Sequence, residues 1–121
     1  MARGTVLVVD DDPGIVELLQ MALEDQGYEV LSGLNYVALQ LAQEQQPDVI
    51  LLDILMPEMD GVEISHRLRA NPATAHIPII AMSAQDRLNA TSSLMPVNER
   101  LTKPFEIKSL YTIVARWISA A

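Results

Sequence analysis

Five chemically capable side chains each follow a short run that is typical of a β-strand in this sequence: Asp10, Asp11, Asp53, Ser83 and Lys103. If the three carboxylates share one crevice, they repel one another, and a positive charge must lie among them. A hard divalent cation is the natural choice, and Mg²⁺ typically takes one or two carboxylates and keeps several waters. With an ammonium and a hydroxyl beside it, such a cluster has the parts of a phosphoryl-transfer site.

The roles within such a site follow from residue type and position. The metal and Lys103 would neutralise phosphoryl oxygens, and Ser83 would donate a hydrogen bond to a further oxygen. Asp53 is the best nucleophile candidate, because it stands alone after the most apolar run of the chain. Asp10 and Asp11 are adjacent, which suits holding a metal. We therefore expect Asp53 to take the phosphoryl group.

The apolar runs alternate with segments of helical period, and this alternation must position the five side chains. Strands are predicted at 6–9, 28–31, 49–52, 77–82 and 100–102, and helices at 13–26, 36–45, 62–71, 86–94 and 107–117. The second strand is more polar and therefore nearer an edge, whereas the third is expected at the centre of the sheet. On the second helix, Val37, Leu41 and Ala38 are expected to face inward.

Five strands alternating with helices predict a parallel sheet that helices cover on both faces. In such sheets the ligand site lies outside the carboxyl ends of the strands, where the strand order reverses. The candidate residues all fall at those ends. Random capping of strands by polar residues would not be expected to give three carboxylates, a hydroxyl and an amine.

Composition limits the alternatives. The 121 residues carry a net charge of -8 and are long enough for one domain, which we expect to span residues 1–121. The acidity disfavours direct nucleic-acid binding. The chain has no cysteine, which excludes disulfides and thiolate catalysis. Its first apolar run is too short for a signal peptide or a membrane span, so a cytoplasmic protein is expected. We also expect a monomer or a weak dimer.

Several other polar residues have simpler structural explanations. Asp12 precedes Pro13, a pattern typical of a helix cap rather than a metal ligand. The pair Asp60-Gly61 favours a turn. His66 and His76 have no second histidine at ligand spacing and are expected to be exposed.

Four runs of this chain resemble the signature blocks of response-regulator receiver domains: VLVVDDDPGI, VILLDILMPEMDGVE, IIAMSA and LTKPF. They occur in the family's order and nearly at its spacing, and the resemblance covers the whole chain. It implies a flavodoxin-like α/β fold, a doubly wound (βα)5 arrangement with a five-stranded parallel sheet of order 2-1-3-4-5. It also implies a two-component phosphorelay, with a sensor histidine kinase or phosphotransfer protein as donor and a downstream protein as output.

The resemblance assigns the metal ligands of a Mg²⁺ site. Asp11 would bind the ion directly and Asp10 mainly through water. Asp53 matches the phosphoacceptor and would share the ion. Leu55 would contribute its backbone carbonyl, so its side chain need not be polar.

The resemblance also assigns the residues around the phosphoryl group. Ser83 matches the switch hydroxyl, and Ala84 the small residue that keeps the site open. Lys103 matches the family's lysine, followed by Pro104 in a cis peptide. Such a domain is a regulatory phosphoacceptor that catalyses only its own phosphorylation and dephosphorylation.

Two departures from the family pattern concern the output surface. Receiver domains often carry Tyr or Phe three residues before the lysine, where this chain has Arg100. The family usually has a Gly-Ala pair before the fifth strand, where this chain has residues 94–97, Leu-Met-Pro-Val. The phosphorylation site is expected to be intact and the read-out surface altered.

Two other functions are compatible with parts of the sequence. A haloacid-dehalogenase-type enzyme would use Asp10 and Asp12 after the first strand, but it would leave Asp53 without a role and needs an acidic block beyond Glu106. A pseudo-receiver would bind a partner without phosphorylation. Labelling of Asp53 with a small phosphodonor distinguishes the latter from a working receiver.

Overall fold

The computed structural model describes residues 3–54, 60–84 and 96–119. These residues form strands β1 (Thr5–Val9), β2 (Glu29–Ser32), β3 (Val49–Asp53), β4 (Ile79–Ala84) and β5 (Glu99–Lys103), and helices α1 (Pro13–Asp25), α2 (Asn35–Gln45), α3 (Gly61–Ala70) and α4 (Ile107–Ser119). All strand pairs are parallel, and the sheet order is β2-β1-β3-β4-β5. The predicted fold class and strand order are confirmed. The helix predicted at 86–94 lies outside the described residues.

Strand β3 is the centre of the sheet, as predicted. Every residue of β3 is buried, and β3 pairs with β1 on one side and β4 on the other. Residues that alternate along β1 belong to opposite core clusters: Leu7 and Val9 to one, Val6 and Val8 to the other. Burial on both faces explains why β1 and β3 are continuous apolar runs rather than alternating ones.

Among the elements that the structure describes, two helices cover each face of the sheet. Helices α2 and α3 pack on one face and α1 and α4 on the other, each through buried residues four positions apart: Ala38 and Ala42, Ile64 and Leu68, Leu19 and Leu23, Leu110 and Val114. Residues at this spacing lie on the same face of a helix. The helices cover the faces of the sheet, and the carboxyl ends of its strands lie together at one edge.

The strand boundaries differ from the prediction at β4 and β5. Strand β4 begins at Ile79, because Pro78 has no N–H to donate to the ladder, and it extends through Ala84. Strand β5 includes Lys103, which is its last residue. Ser83 and Lys103 therefore lie in the last residue pairs of the β4–β5 ladder rather than in the loops after the strands.

The expectation that Val37 faces inward is wrong. Ala38 and Ala42 form the buried stripe of α2, whereas Val37 is exposed and Leu41 is partly buried. An α-helix turns about 100° per residue, so the position before Ala38 points well away from the sheet once the two alanines define the buried face. The small alanines allow α2 to lie close to the sheet.

Aspartate caps the two helices that begin beside the carboxyl ends of β1 and β3. Asp12 accepts hydrogen bonds from the backbone N–H groups of Gly14 and Ile15, at 2.9 and 3.4 Å, which confirms its predicted cap role. Asp60 accepts from the N–H of Glu63 at 3.0 Å, so the turn predicted at this position is instead the start of α3. The Asp-Gly pair is common in turns, but the apolar helical period that follows it decides the outcome.

His66 and His76 are exposed, as expected. Of the helices that the structure describes, none has the length and apolar character needed to cross a membrane.

Candidate functional site

Three predicted carboxylates meet at the carboxyl edge of the sheet. Asp10 and Asp11 directly follow β1, and Asp53 ends the neighbouring strand β3. The register aligns Val9 with Leu52, which places the two strand ends side by side. One carboxylate oxygen from each aspartate lies within 4.8 Å of those of the other two.

The three aspartates differ in exposure. Asp10 and Asp53 are buried, whereas Asp11 is exposed at the mouth of the crevice. Buried carboxylates are costly unless they are paired or hydrogen-bonded. The charge that compensates them comes from the last residue of β5.

Lys103 reaches across the site from β5 to both buried carboxylates. Its Nζ lies 2.8 Å from Oδ2 of Asp10 and 3.6 Å from Oδ1 of Asp53. Burial of the ammonium acts to lower the pKa of Lys103, but hydrogen bonding and Coulombic attraction to Asp10, with a contribution from Asp53, outweigh it and raise the pKa. Lys103 therefore carries its charge at neutral pH.

Both carboxylate oxygens of Asp10 have donors. Oδ1 accepts from the backbone N–H of Asp12 at 2.9 Å, and Oδ2 accepts from Lys103 at 2.8 Å. A cation that bound Asp10 directly would compete with these donors. Asp11, at the mouth, is the more accessible metal ligand of the pair, and Asp10 is better placed to orient the lysine.

Gly61 brings the N-terminus of α3 against the end of β3. Its N–H donates to the carbonyl of Ile54 at 2.8 Å. A Cβ at this position would lie 2.4 Å from the carbonyl oxygen of Asp53 and 2.7 Å from Cα of Ile54, closer than real contacts allow. Only glycine permits this approach. As a result, the start of α3 packs directly against the backbone of Asp53. The Asp60-Gly61 pair predicts a turn, but nothing in the sequence indicates that Gly61 approaches Asp53.

Ser83 lies at the same edge on β4. It is buried, and it follows Met82, the residue that pairs with Asp53 in the ladder. The register also aligns Ser83 with Thr102, next to Lys103. The Lys103–Pro104 peptide is cis, as expected. Leu55 lies outside the described residues, and the side chain of Ala84 is not described.

A divalent cation suits this arrangement. Three carboxylates and one ammonium leave an excess of two negative charges in a partly buried crevice. The oxygen donors and their spacing match the preferences of Mg²⁺, which keeps part of its water shell and uses few protein carboxylates. The exposed position of Asp11 leaves one side of the cluster open to water and to a phosphoryl group.

A doubly wound parallel sheet with an acidic crevice and a lysine at its carboxyl edge defines a small class of α/β proteins. Residues 6–115 match the family model of the response regulator receiver domain. The chain belongs to that family. The haloacid-dehalogenase alternative is therefore wrong.

Curated relatives and solved structures agree with the family. The chain is 36% identical over 110 residues to the DNA-binding dual master transcriptional regulator RpaA of Synechocystis, covering 87% of this chain and 45% of that protein. It thus spans about half the length of that relative. It is 38% identical over 125 residues to an uncharacterised 14.6 kDa protein of Leptolyngbya boryana, covering 99% of this chain and 94% of that one.

A solved structure bears on the metal. The receiver domain of a sensor histidine kinase from Pseudomonas aeruginosa superposes with a TM-score of 0.88 and 30% identity, covering 96% of this chain and 98% of that one. That structure has a magnesium ion coordinated in its active site cleft. This chain, which carries the acidic cluster of Asp10, Asp11 and Asp53, has the same family and fold as that domain.

Proposed function

We propose that this chain is the phosphoacceptor of a two-component phosphorelay. Asp53 takes a phosphoryl group from a phosphohistidine of a sensor histidine kinase or of a phosphotransfer protein, and the resulting conformational change signals to a downstream protein. The observation that carries the proposal is the convergence of Asp10, Asp11 and Asp53 within 4.8 Å, with Lys103 paired to the two buried members.

Each residue has a defined part in the transfer. A carboxylate oxygen of Asp53 forms the new bond to phosphorus, the phosphorus–nitrogen bond of the donor breaks, and the bonding electrons leave with the imidazole. Asp11, Asp53 and the backbone carbonyl of Leu55 would hold Mg²⁺, which would supply positive charge to the phosphoryl oxygens. Asp10 holds the ammonium of Lys103 toward the reacting oxygens and would reach the metal only through water.

Ser83 is the group that detects the product. Its position on β4, one residue past the partner of Asp53, allows its hydroxyl to donate to a phosphoryl oxygen. Arg100, which takes the place of the family's usual aromatic residue, is exposed on β5. The read-out on this surface therefore uses a charged rather than an aromatic side chain.

The proposal extends to the whole chain. Residues 1–121 form a single receiver domain that works in the cytoplasm and acts on proteins rather than on nucleic acid, consistent with a net charge of -8. It turns over no external substrate apart from the phosphodonor.

Labelling with a small phosphodonor tests the assignment. Acetyl phosphate or phosphoramidate with Mg²⁺ should add one acid-labile phosphoryl group, detected by intact-protein mass spectrometry. Asp53→Asn should lose it, whereas Asp25→Asn, at the exposed end of α1, should be labelled like the wild type. Undiminished labelling of Asp53→Asn would place the acceptor elsewhere, and an unlabelled wild type would favour the pseudo-receiver.

A further inference from the structure

The start of α2 presents apolar side chains to solvent. Leu34, Tyr36 and Val37 are 38%, 63% and 55% exposed, and within the described part of the chain only Leu18 and Met21 are comparable. Burying such side chains stabilises a protein or a complex, and that stabilisation is lost while they face water. Arg67 lies over the Tyr36 ring at 5.4 Å, whereas Leu34 and Val37 line one groove and indicate a surface that another molecule covers.

Leu34 and Val37 form one wall of an open groove of about 680 Å³, and Val16 of α1 contributes to the other wall. Gly33 lies between them, and a Cβ there would be 2.9 Å from Cδ1 of Leu41 and 3.0 Å from Cγ1 of Val37. The glycine lets both side chains close over the β2–α2 connection. The groove has the volume of a typical ligand pocket and is open enough to admit side chains of another protein.

The residue at the N-cap of α2 supports a binding role for this surface. Leu34 occupies the position and provides no side-chain hydrogen bond to the first turn. Ser, Thr, Asn or Asp there would stabilise the helix, as Asp12 and Asp60 do for α1 and α3. An exposed leucine in place of a cap gives up stability without filling the core, which is expected of a side chain that packs against a partner.

The charges around the groove define the chemistry of that partner. Asp11 and Glu17 are exposed carboxylates that line it, and among the described residues that line it there is no lysine or arginine. An apolar floor with an acidic rim complements aliphatic side chains flanked by basic ones. A second copy of this chain would bring the same negative rim against it, at a net charge of -8 per chain, and fits less well.

We propose that this α1–α2 groove binds a basic amphipathic helix of another protein. The helix inserts aliphatic side chains between Val16 and Val37, and its lysine or arginine residues pair with Glu17, which lies outside the acidic cluster. The interaction requires no phosphoryl group on Asp53. It therefore adds a protein-binding surface to the phosphoacceptor site and can be tested on the unmodified chain.

A displayed library of random peptides of roughly 16 residues, long enough to form a helix, is the probe. Peptides selected on the wild-type chain should carry aliphatic residues three or four positions apart with lysine or arginine beside them. Their affinity should fall about tenfold in Val37→Asp, because one buried valine is worth about that factor. Glu17→Lys should weaken the binding of these peptides several-fold. It should not make the unfolding transition of the protein itself steeper.

Matched variants separate the groove from general attraction to an acidic protein. Val37 is the third residue of α2, where an aspartate suits the helix dipole, so Val37→Asp should remain folded. Met21→Asp and Glu24→Lys alter an exposed methionine and an exposed glutamate of α1 that do not line the groove, and they should bind the peptides as the wild type does.

Three results would overturn the proposal: no peptide recovered, peptides that bind Val37→Asp and Met21→Asp alike, or recovered sequences without the basic amphipathic pattern. Self-association of the wild type that Val37→Asp abolishes would assign the groove to a second copy instead. Sedimentation velocity of the two proteins without peptide measures this.

Discussion

Lys103 is the residue that makes two buried carboxylates compatible with the fold. Its ammonium contacts Asp10 at 2.8 Å and Asp53 at 3.6 Å, and both aspartates are buried. Removing one member of a buried ion pair leaves an uncompensated charge, which is more destabilising than the pair itself is stabilising. The same contacts hold the lysine where the proposed phosphoryl oxygens would lie.

The raised pKa of Lys103 predicts how its contribution to stability depends on pH. Without metal, the wild type should exceed Lys103→Met in free energy of unfolding by about 2 kcal/mol at neutral pH. That advantage is complete below the pKa of lysine in the unfolded chain, about 10.4, and is lost as pH rises through the higher pKa of the folded state. Urea unfolding of both proteins between about pH 8 and 11 measures the difference. A difference that stays constant to the upper limit would contradict the ion pair.

Gly61 is predicted to be intolerant of any side chain. Gly61→Ala places a Cβ against the backbone of Asp53 and Ile54, which cannot move away like a flexible side chain, so a loss of about 1–3 kcal/mol of stability and slower labelling of Asp53 are expected. Gly14→Ala is the control. Its Cβ would be 3.3 Å from the Asp12 carboxylate, and alanine favours the helix. Equal stability of the two variants would contradict the close approach.

At the scale of elements, helices α1 and α3 both begin at the carboxyl edge of the sheet and both have an aspartate cap. Their N-termini add partial positive charge near the carboxylates. The caps fix where each helix begins, and in α1 the cap residue also donates its own N–H to Asp10. Helix capping and site geometry are therefore linked through the same backbone.

Asp12 should behave as a cap and not as a metal ligand. Asp12→Ala should lower the free energy of unfolding by about 1 kcal/mol, and Asp12→Ser, which keeps a capping oxygen, should recover most of it. In Asp12→Ser the increase in melting temperature with Mg²⁺ should match the wild type. Thermal unfolding with and without Mg²⁺ measures both effects, and a lost Mg²⁺ response in Asp12→Ser would make Asp12 a ligand.

At the scale of the whole molecule, negative charge is concentrated where a cation is proposed. The chain carries a net charge of -8, and three of its carboxylates meet at one edge of the sheet. Like charges in proximity weaken the folded state, and a bound cation reverses that effect. Stability and metal binding are expected to be coupled.

Mg²⁺ should stabilise the fold by mass action, by about 2.7 kcal/mol at a concentration one hundred times its dissociation constant. Asp11→Ala should lose most of this gain, and without metal it should unfold at or above the temperature of the wild type because one repulsive charge is gone. Glu17→Ala, a neighbouring exposed carboxylate outside the cluster, is the control. Differential scanning calorimetry with Mg²⁺ and with chelator decides the matter. Identical melting temperatures for the wild type in both would refute the metal site.

The sequence by itself determined the local features of this protein. Apolar runs identified the buried strands β1, β3 and β4, segments of helical period identified the described helices, and Asp12-Pro13 identified a helix start. These patterns depend on neighbours within a few residues, so they can be recognised without the fold. The positions of Asp53, Ser83 and Lys103 at strand ends followed from the same patterns.

Only the tertiary structure decided which of those side chains meet and how. Lys103 and Asp10 are 93 positions apart in sequence, and their contact depends on strand order and register. The difference between buried Asp10 and exposed Asp11, the approach of Gly61 to Asp53, and the outward direction of Val37 likewise arise from packing between elements. Periodicity reports which face of an element is apolar, but it carries no information on what lies opposite, because that is set by the other elements of the sheet and its helices.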